Sequence, residues 1–280
     1  VASFFVKYNI SKTVNFQLKS FVTIAERNSV GFTKSITTKD SINPVTLQYN
    51  ARQVDMDKYQ NYGAEARVSV KYKLLGQQNV FAGGLRAYSG STKRNQLGVG
   101  TTGADFDLTL TNPQFGRSLE FRTVNYAVFA ENIFQIGKRI KVVPGIRFEY
   151  IKNQSEGYIN TSSTGAISAN KKERQILLYG LGGEFKVTEM TNLYANYSLA
   201  YRPVTFSELT PSATTEIIDP SLKDASGFNA DFGYRGTVKS YLSFDIGIFY
   251  LNYENRIGTI TQNGAPFKTN IGTSVSKGVE

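Results

Sequence analysis

From Ala64 to Leu74 the chain alternates without a break. Ala64, Ala66, Val68, Val70, Tyr72 and Leu74 take one side, and Glu65, Arg67, Ser69, Lys71 and Lys73 the other. A period of two belongs to an extended strand, whose successive side chains point to opposite faces; a helix would group residues three and four apart. The same pattern returns at Ile140, Val142, Pro144, Ile146, Phe148 and Tyr150, opposite Lys141, Gly145, Arg147 and Glu149, with Val143 and Ile151 as exceptions. Leu193, Ala195, Tyr197, Leu199 and Tyr201 oppose Asn196, Ser198 and Arg202, and Leu242, Phe244, Ile246, Ile248 and Tyr250 oppose Ser243, Asp245 and Gly247. Weaker copies begin near Ala2, Val14, Asn79, Thr123, Glu173 and Gly227. The total is about ten strands, with the start of an eleventh at Val275–Glu280.

The connections alternate as well. Short ones lie near Ser11–Thr13, Leu75–Gln78, Gly137–Lys138, Thr188–Thr191 and Thr237–Ser240. Long ones lie near Asn28–Lys58, Ser91–Ser118, Lys152–Lys172, Pro203–Ser226 and Asn255–Ser274. Strand plus connection repeats about every 25 residues with no Pro-rich or Ser-rich linker, which reads as one continuous sheet over 1–280. No apolar run approaches the roughly 18 residues of a spanning helix, so a closed barrel is the only way such a chain crosses a membrane. A mean hydropathy of -0.28 is compatible with that, because a barrel wall keeps its apolar residues in every second position. The expected fold is all-β: an antiparallel transmembrane β-barrel with short periplasmic turns and long extracellular loops. Several strands exceed the roughly 10 residues a tilted membrane strand needs and are expected to project beyond the bilayer. Because Lys277–Glu280 stops in mid-pattern, the barrel is expected to be incomplete. Tyr126, Phe134, Tyr150, Tyr179, Phe185, Tyr234, Phe249 and Tyr250 cluster near strand ends, as interfacial girdles do.

Composition removes several kinds of chemistry. The chain has no histidine and no cysteine, hence no imidazole base, no Ser-His-Asp arrangement, no thiolate and no disulfide framework. Neither catalytic residues, nor a cofactor, nor a resident metal are expected. Gly98, Gly100 and Gly103 lack the Gly-Lys-Ser/Thr ending of a phosphate loop and read as loop glycines. The net charge of +10 is spread along the strands, and no basic block exceeds two residues, so the footprint of a nucleic-acid binder is missing. An anionic solute drawn to a basic lumen fits better. Val1–Ile10 already reads as a strand with no secretory signal segment, so an exported protein would begin upstream of it.

Tyr201-Arg202-Pro203-Val204-Thr205-Phe206-Ser207-Glu208-Leu209, then Asp219-Pro220-Ser221-Leu222-Lys223 and Phe228–Gly236, together resemble the barrel of TonB-dependent outer-membrane receptors. Ala127–Tyr150, Leu251–Ile260 and Thr269–Glu280 carry the same resemblance, and Val204–Leu209 with Asn255–Ile260 is most like receptors for ferric citrate and other ferric siderophores. The resemblance implies import of a ferric chelate across a Gram-negative outer membrane, in contact with outer-membrane lipid. It further implies a plug domain and a TonB-binding box N-terminal to the barrel, through which the TonB-ExbB-ExbD complex supplies energy, and closing strands beyond this chain. Oligosaccharide or cobalamin as cargo, or a passive porin, remain alternatives.

Six arginines fall on the polar phase or at its loop end: Arg67, Arg86, Arg147, Arg174, Arg202 and Arg235. A guanidinium offers bidentate donors to carboxylates such as those of a citrate complex. Arg86, Arg174 and Arg202 are expected ligand contacts. Arg67, Arg147 and Arg235, with Glu149, Glu184 and Asp231, are expected to face the lumen or a plug. Pro203, Phe206, Glu208 and Leu209 are expected to organise a loop base, and Asn255 and Arg256 to end a strand.

Overall fold

The computed structural model describes residues 1–103, 106–159, 166–205, 208, 216–239 and 241–280. Its strands are β1 (Ala2–Asn9), β2 (Val14–Gly31), β3 (Ala51–Leu74), β4 (Gln77–Thr102), β5 (Arg117–Ile136), β6 (Ile140–Ile159), β7 (Ala166–Lys186), β8 (Thr191–Arg202), β9 (Ile217–Ile218), β10 (Ala225–Val238), β11 (Leu242–Glu254), β12 (Ile257–Gln262), β13 (Ala265–Asn270) and β14 (Ser274–Val279). Eleven of them form one antiparallel meander in the order β1-β2-β3-β4-β5-β6-β7-β8-β10-β11-β14, open between β1 and β14. This is the expected incomplete barrel wall. A second sheet, β12-β13-β9, is built from the loop segments after β8 and β11.

Strand register decides which side chains share a face. Leu18, Ala66, Leu85, Val128, Phe148 and Leu177 stand directly opposite one another in one row; Gln17, Arg67, Gly84, Phe129, Arg147 and Leu178 form the next row, on the other face. Among the described residues nothing packs on the apolar face: Leu85 is 62% exposed, Leu177 56% and Ile146 52%. In water such a face would be a large liability; in a bilayer it is the lipid contact. From Tyr150 to Ile140, at about 3.3 Å per residue and a tilt near 45°, the band rises roughly 23–25 Å, the height of a barrel's apolar belt. Tyr62, Tyr126 and Tyr150 mark its loop-side edge. Phe249 does not belong to the girdle, because it stands opposite Asp231 on the polar face.

The strands outrun the alternating segments that reveal them. β3 and β4 are 24 and 26 residues long, so the connections around them shrink to 32–50 and 103–116 instead of Asn28–Lys58 and Ser91–Ser118. Beyond the bilayer both faces meet water, so hydrophobic alternation fades while backbone pairing continues, as at Arg27 opposite Asp57 and Lys58 opposite Lys93. Polar groups there satisfy one another. Asp57 is fully buried, accepting from Arg27 Nη2 at 2.5 Å, Gln96 Nε2 at 3.3 Å and the Tyr59 hydroxyl at 3.3 Å. Gly98 and Gly100, expected in a loop, lie in β4. A Cβ on Gly98 would come 2.7 Å from Leu110 and 2.9 Å from Phe115, so glycine is what lets the returning segment around Leu110–Phe115 lie on the strand.

The turn between β3 and β4 is Leu75-Gly76, with φ of 49° and 75°. Two positive φ values define the type I′ turn that matches strand twist, but leucine pays a steric penalty there. Leu75→Asn is therefore expected to raise stability by about 0.5–1 kcal/mol, read from the midpoint of denaturant unfolding in lipid vesicles.

Candidate ligand site

The polar face carries charges that are mostly neutralised in place. Arg67 Nε donates to Glu65 at 2.6 Å and Arg147 Nε to Glu149, and both guanidinium groups lie 5.4 Å from the centroid of the Phe129 ring between them. Toward the short turns, Glu184 is 3.4 Å from Lys141 and 3.7 Å from Arg235, and accepts from Asn192 at 2.9 Å. Arg235 also stacks 4.9 Å from the Tyr194 centroid, and Asp231 accepts from Asn196 at 2.8 Å. These positions hold the wall's own charge balance.

A cavity of about 420 Å³ opens at the loop end of the same face, within the range of small-ligand sites. Arg86 and Arg147 line it from the wall, Tyr88, Asn125 and Asn153 continue the polar phase of β4, β5 and β6 into it, and Pro203–Thr205 cover it. Arg86 is the less committed cation: its side chain is 43% exposed and its nearest carboxylate, Glu65, lies at 3.9 Å. The uncharged members were not singled out from sequence, although registering the three strands would have found them. Tyr88 donates to Asn61 at 2.7 Å, Thr123 to Asn153 at 3.1 Å and Asn125 to Glu149 at 3.1 Å, so the lining is preorganised.

The covering segment is held by two carboxylates, Asp224 at Val204 and Glu208 at Thr205. β7 pairs with β8 only from Gly180 opposite Ser198 to Lys186 opposite Asn192, so above that level the two strands part. Asp224 closes the seam. It accepts from Arg174 Nε at 2.5 Å, the Tyr201 hydroxyl at 2.6 Å and the backbone N–H of Val204 at 2.8 Å, while Lys172 Nζ donates to the Leu222 carbonyl at 2.6 Å. Arg174 is 7% exposed, and its Nη1 and Nη2 meet no acceptor among the described residues. Burial alone would raise the Asp224 carboxyl, but the hydrogen bonds from Arg174, Tyr201 and Val204 outweigh it and hold the group below its ordinary 3.8.

Arg202 points into its own loop, donating from Nη2 to Glu208 at 2.6 Å, and Glu208 accepts from the Thr205 N–H at 2.8 Å. Burial works against the Glu208 carboxylate, yet these bonds from Thr205 and Arg202 keep its pKa lowered. Glu208 thus ties the loop base; Phe206 and Leu209 lie outside the described residues. Asn255, with a φ of 55°, ends β11 as expected. Of the three arginines expected to meet ligand, the fold thus puts Arg86 in the cavity, Arg174 behind its cover and Arg202 against Glu208. Among the described residues no group of three or more His, Cys, Asp or Glu side chains could hold a metal ion.

An antiparallel meander with an apolar outer band, short turns at one end and long loops at the other defines a transmembrane β-barrel wall. The chain belongs to the TonB dependent receptor-like β-barrel family, whose model matches residues 3–280. No curated protein matches it by sequence. Among solved structures, the unliganded ferric citrate transporter FecA superposes with a TM-score of 0.74 at 18% identity, covering 99% of this chain and 37% of that one. The copper transporter OprC gives 0.71 at 13% identity over 99% and 44%, and the ferric-catecholate import receptor Fiu from E. coli K12 gives 0.69 at 11% over 99% and 43%. The chain thus spans less than half the length of these receptors, and the likeness is one of fold. Receptors of this family reside in Gram-negative outer membranes.

Proposed function

We propose that this chain forms part of the wall and the loop-side ligand site of a TonB-energised importer for an anionic ferric chelate, of the ferric citrate type. The carrying observation is the cavity in which Arg86, together with Arg147 and its partner Glu149, faces a polar lining beneath Pro203–Thr205. A guanidinium such as that of Arg86 recognises carboxylate oxygens bidentately, which suits a carboxylate-rich chelate better than a neutral sugar. The likeness to FecA supports this reading. A copper cargo, as for OprC, finds little support in a chain with no histidine or cysteine and only two methionines. The plug, the TonB contact and the closing strands belong, on this reading, to the rest of a longer protein. The basic lumen gathers the chelate, the loops hold it, and displacement of the plug opens the path.

Uptake of radiolabelled ferric citrate by the full-length receptor, in cells without another citrate importer, tests the assignment. Arg86→Ala is expected to raise the half-saturating chelate concentration about tenfold, the loss of one charge-assisted bond. Unchanged binding in both Arg86→Ala and Arg147→Ala would remove the cavity from consideration, and normal ferric citrate uptake after deletion of the gene would remove the cargo.

A further inference from the structure

Where β7 parts from β8, its lumen-side residues Lys172 and Arg174 stand opposite Asn153 and Ile151 and reach the segments that follow β8 and precede β10. The surroundings are apolar and closed: Val204 is 0% exposed, Leu222 3%, Ala225 4% and Ile151 8%. Into them come two cations, the buried Arg174 and the half-buried Lys172, which donates to the Leu222 carbonyl at 2.6 Å. One carboxylate answers them. Asp224 already accepts from Arg174 Nε, the Tyr201 hydroxyl and the Val204 N–H, and Lys172 forms no ion pair among the described residues. The other carboxylates nearby are committed elsewhere: Glu149 to Arg147, Glu208 to Arg202, and Glu173 to Lys171 on the outward face. Burial lowers the pKa of Lys172, attraction to Asp224 opposes that, and repulsion from Arg174 adds to it. The cluster therefore carries one positive charge in excess.

Unmet donors mark the place for a balancing charge. Nη1 and Nη2 of Arg174 are closed off from solvent and meet no acceptor among the described residues. Buried donors without an acceptor are costly, and the two Nη groups share one edge of a planar guanidinium, from which both reach a single acceptor. A neutral acceptor would satisfy those hydrogen bonds and leave the charge. A divalent oxyanion would overshoot the charge and carry a larger desolvation cost into apolar surroundings. A small monovalent ion meets both conditions.

We propose that the Nη1–Nη2 edge of Arg174 is a binding site for a small monovalent inorganic anion, chloride, which neutralises the Lys172–Arg174–Asp224 cluster and so holds the cover shut. The site is distinct from the chelate cavity, whose lining includes Val204 and Ile151 but not Arg174. It does not depend on the cargo, because the ion stays with the wall and is not transported.

The test uses the full-length receptor. Crystals soaked in sodium bromide are expected to show an anomalous peak within hydrogen-bonding reach of both Nη atoms. In solution, replacing chloride by gluconate at equal ionic strength is expected to lower exchange protection at Val204 and in 216–224 about tenfold, the shift for an ion present at roughly ten times its Kd. Lys172→Gln keeps a donor for the Leu222 carbonyl but removes the excess charge, so both the peak and the chloride dependence should be lost. Lys172→Arg should retain both, and unchanged protection in β10 and β11 shows that the wall is intact. Absence of the peak, equal protection in the two salts, or a chloride effect undiminished in Lys172→Gln would overturn the site. A peak with no chloride dependence of protection would mark an adventitious ion only, and displacement of bromide by ferric citrate would make Arg174 a chelate contact; each also overturns it. Failure of the import assignment is read from uptake and leaves these measurements unaffected.

Discussion

Asp224→Ala is expected to release the cover over the ligand cavity and open the seam between β7 and β8, at a cost of about 3–5 kcal/mol to that region. The magnitude comes from what is left behind. Among the described residues Arg174, 7% exposed, already has two guanidinium nitrogens without an acceptor, and losing Asp224 removes the one acceptor they show for it. Tyr201 and the Val204 N–H lose their acceptor at the same time. Hydrogen exchange in the full-length receptor should show protection lost at Val204 and in 216–224, with β10 and β11 unchanged. Asp224→Asn, which keeps an acceptor oxygen but not the charge, should cost less. Arg174→Met added to Asp224→Ala should recover part of the loss, because the stranded charge is then gone. If the double variant were as unstable as the sum of the two single ones, the carboxylate would not be acting through Arg174.

The same carboxyl sets the pH behaviour of the cover. Its folded pKa is lowered from 3.8, first against the opposing effect of burial and then by the hydrogen bonds from Arg174, Tyr201 and Val204. A lowered carboxylate contributes stability that is complete above its unfolded pKa and is lost as pH falls through the folded value. The cover is therefore expected to hold through neutral and mildly acid conditions, and its exchange protection to decline only below about pH 3.8. In Asp224→Asn that acid limb should be absent.

The wall was legible because the bilayer imposes a period of two wherever lipid touches a strand, and Ala64–Leu74 and Ile140–Tyr150 carry it plainly. Above the membrane that constraint disappears. Nothing in the composition of Arg52–Tyr59 or Gly90–Thr102 distinguishes a polar strand from a polar loop, and the pairing that makes them strands is visible only between chain segments. The Asn263-Gly264 turn, with φ of 50° and 77°, joins β12 to β13 and was a short-range hairpin signal available in the sequence. The arginines of the site were found by phase, but their partners were not. Arg174 meets a carboxylate fifty positions away and Arg202 one six positions away, and only the folded loop shows which of the two is buried.

Ile146→Arg is expected to destabilise the barrel by about 2–4 kcal/mol, the cost of a charged side chain on the lipid face near mid-membrane. Ile146 lies between Tyr150 and Ile140 on the apolar phase, is 52% exposed, and stands opposite Tyr179, itself 53% exposed. Arginine there can reach neither the headgroups nor the lumen without bending the wall. Gln154→Arg, on the same face two residues beyond Lys152, should cost only about 0–1 kcal/mol, because the headgroup layer solvates it. Guanidinium unfolding of the full-length receptor in phospholipid vesicles measures both. Similar costs at the two positions would mean that the apolar face is not the lipid face. A large cost at Ile146 alone would place the bilayer boundary between Tyr150 and Gln154.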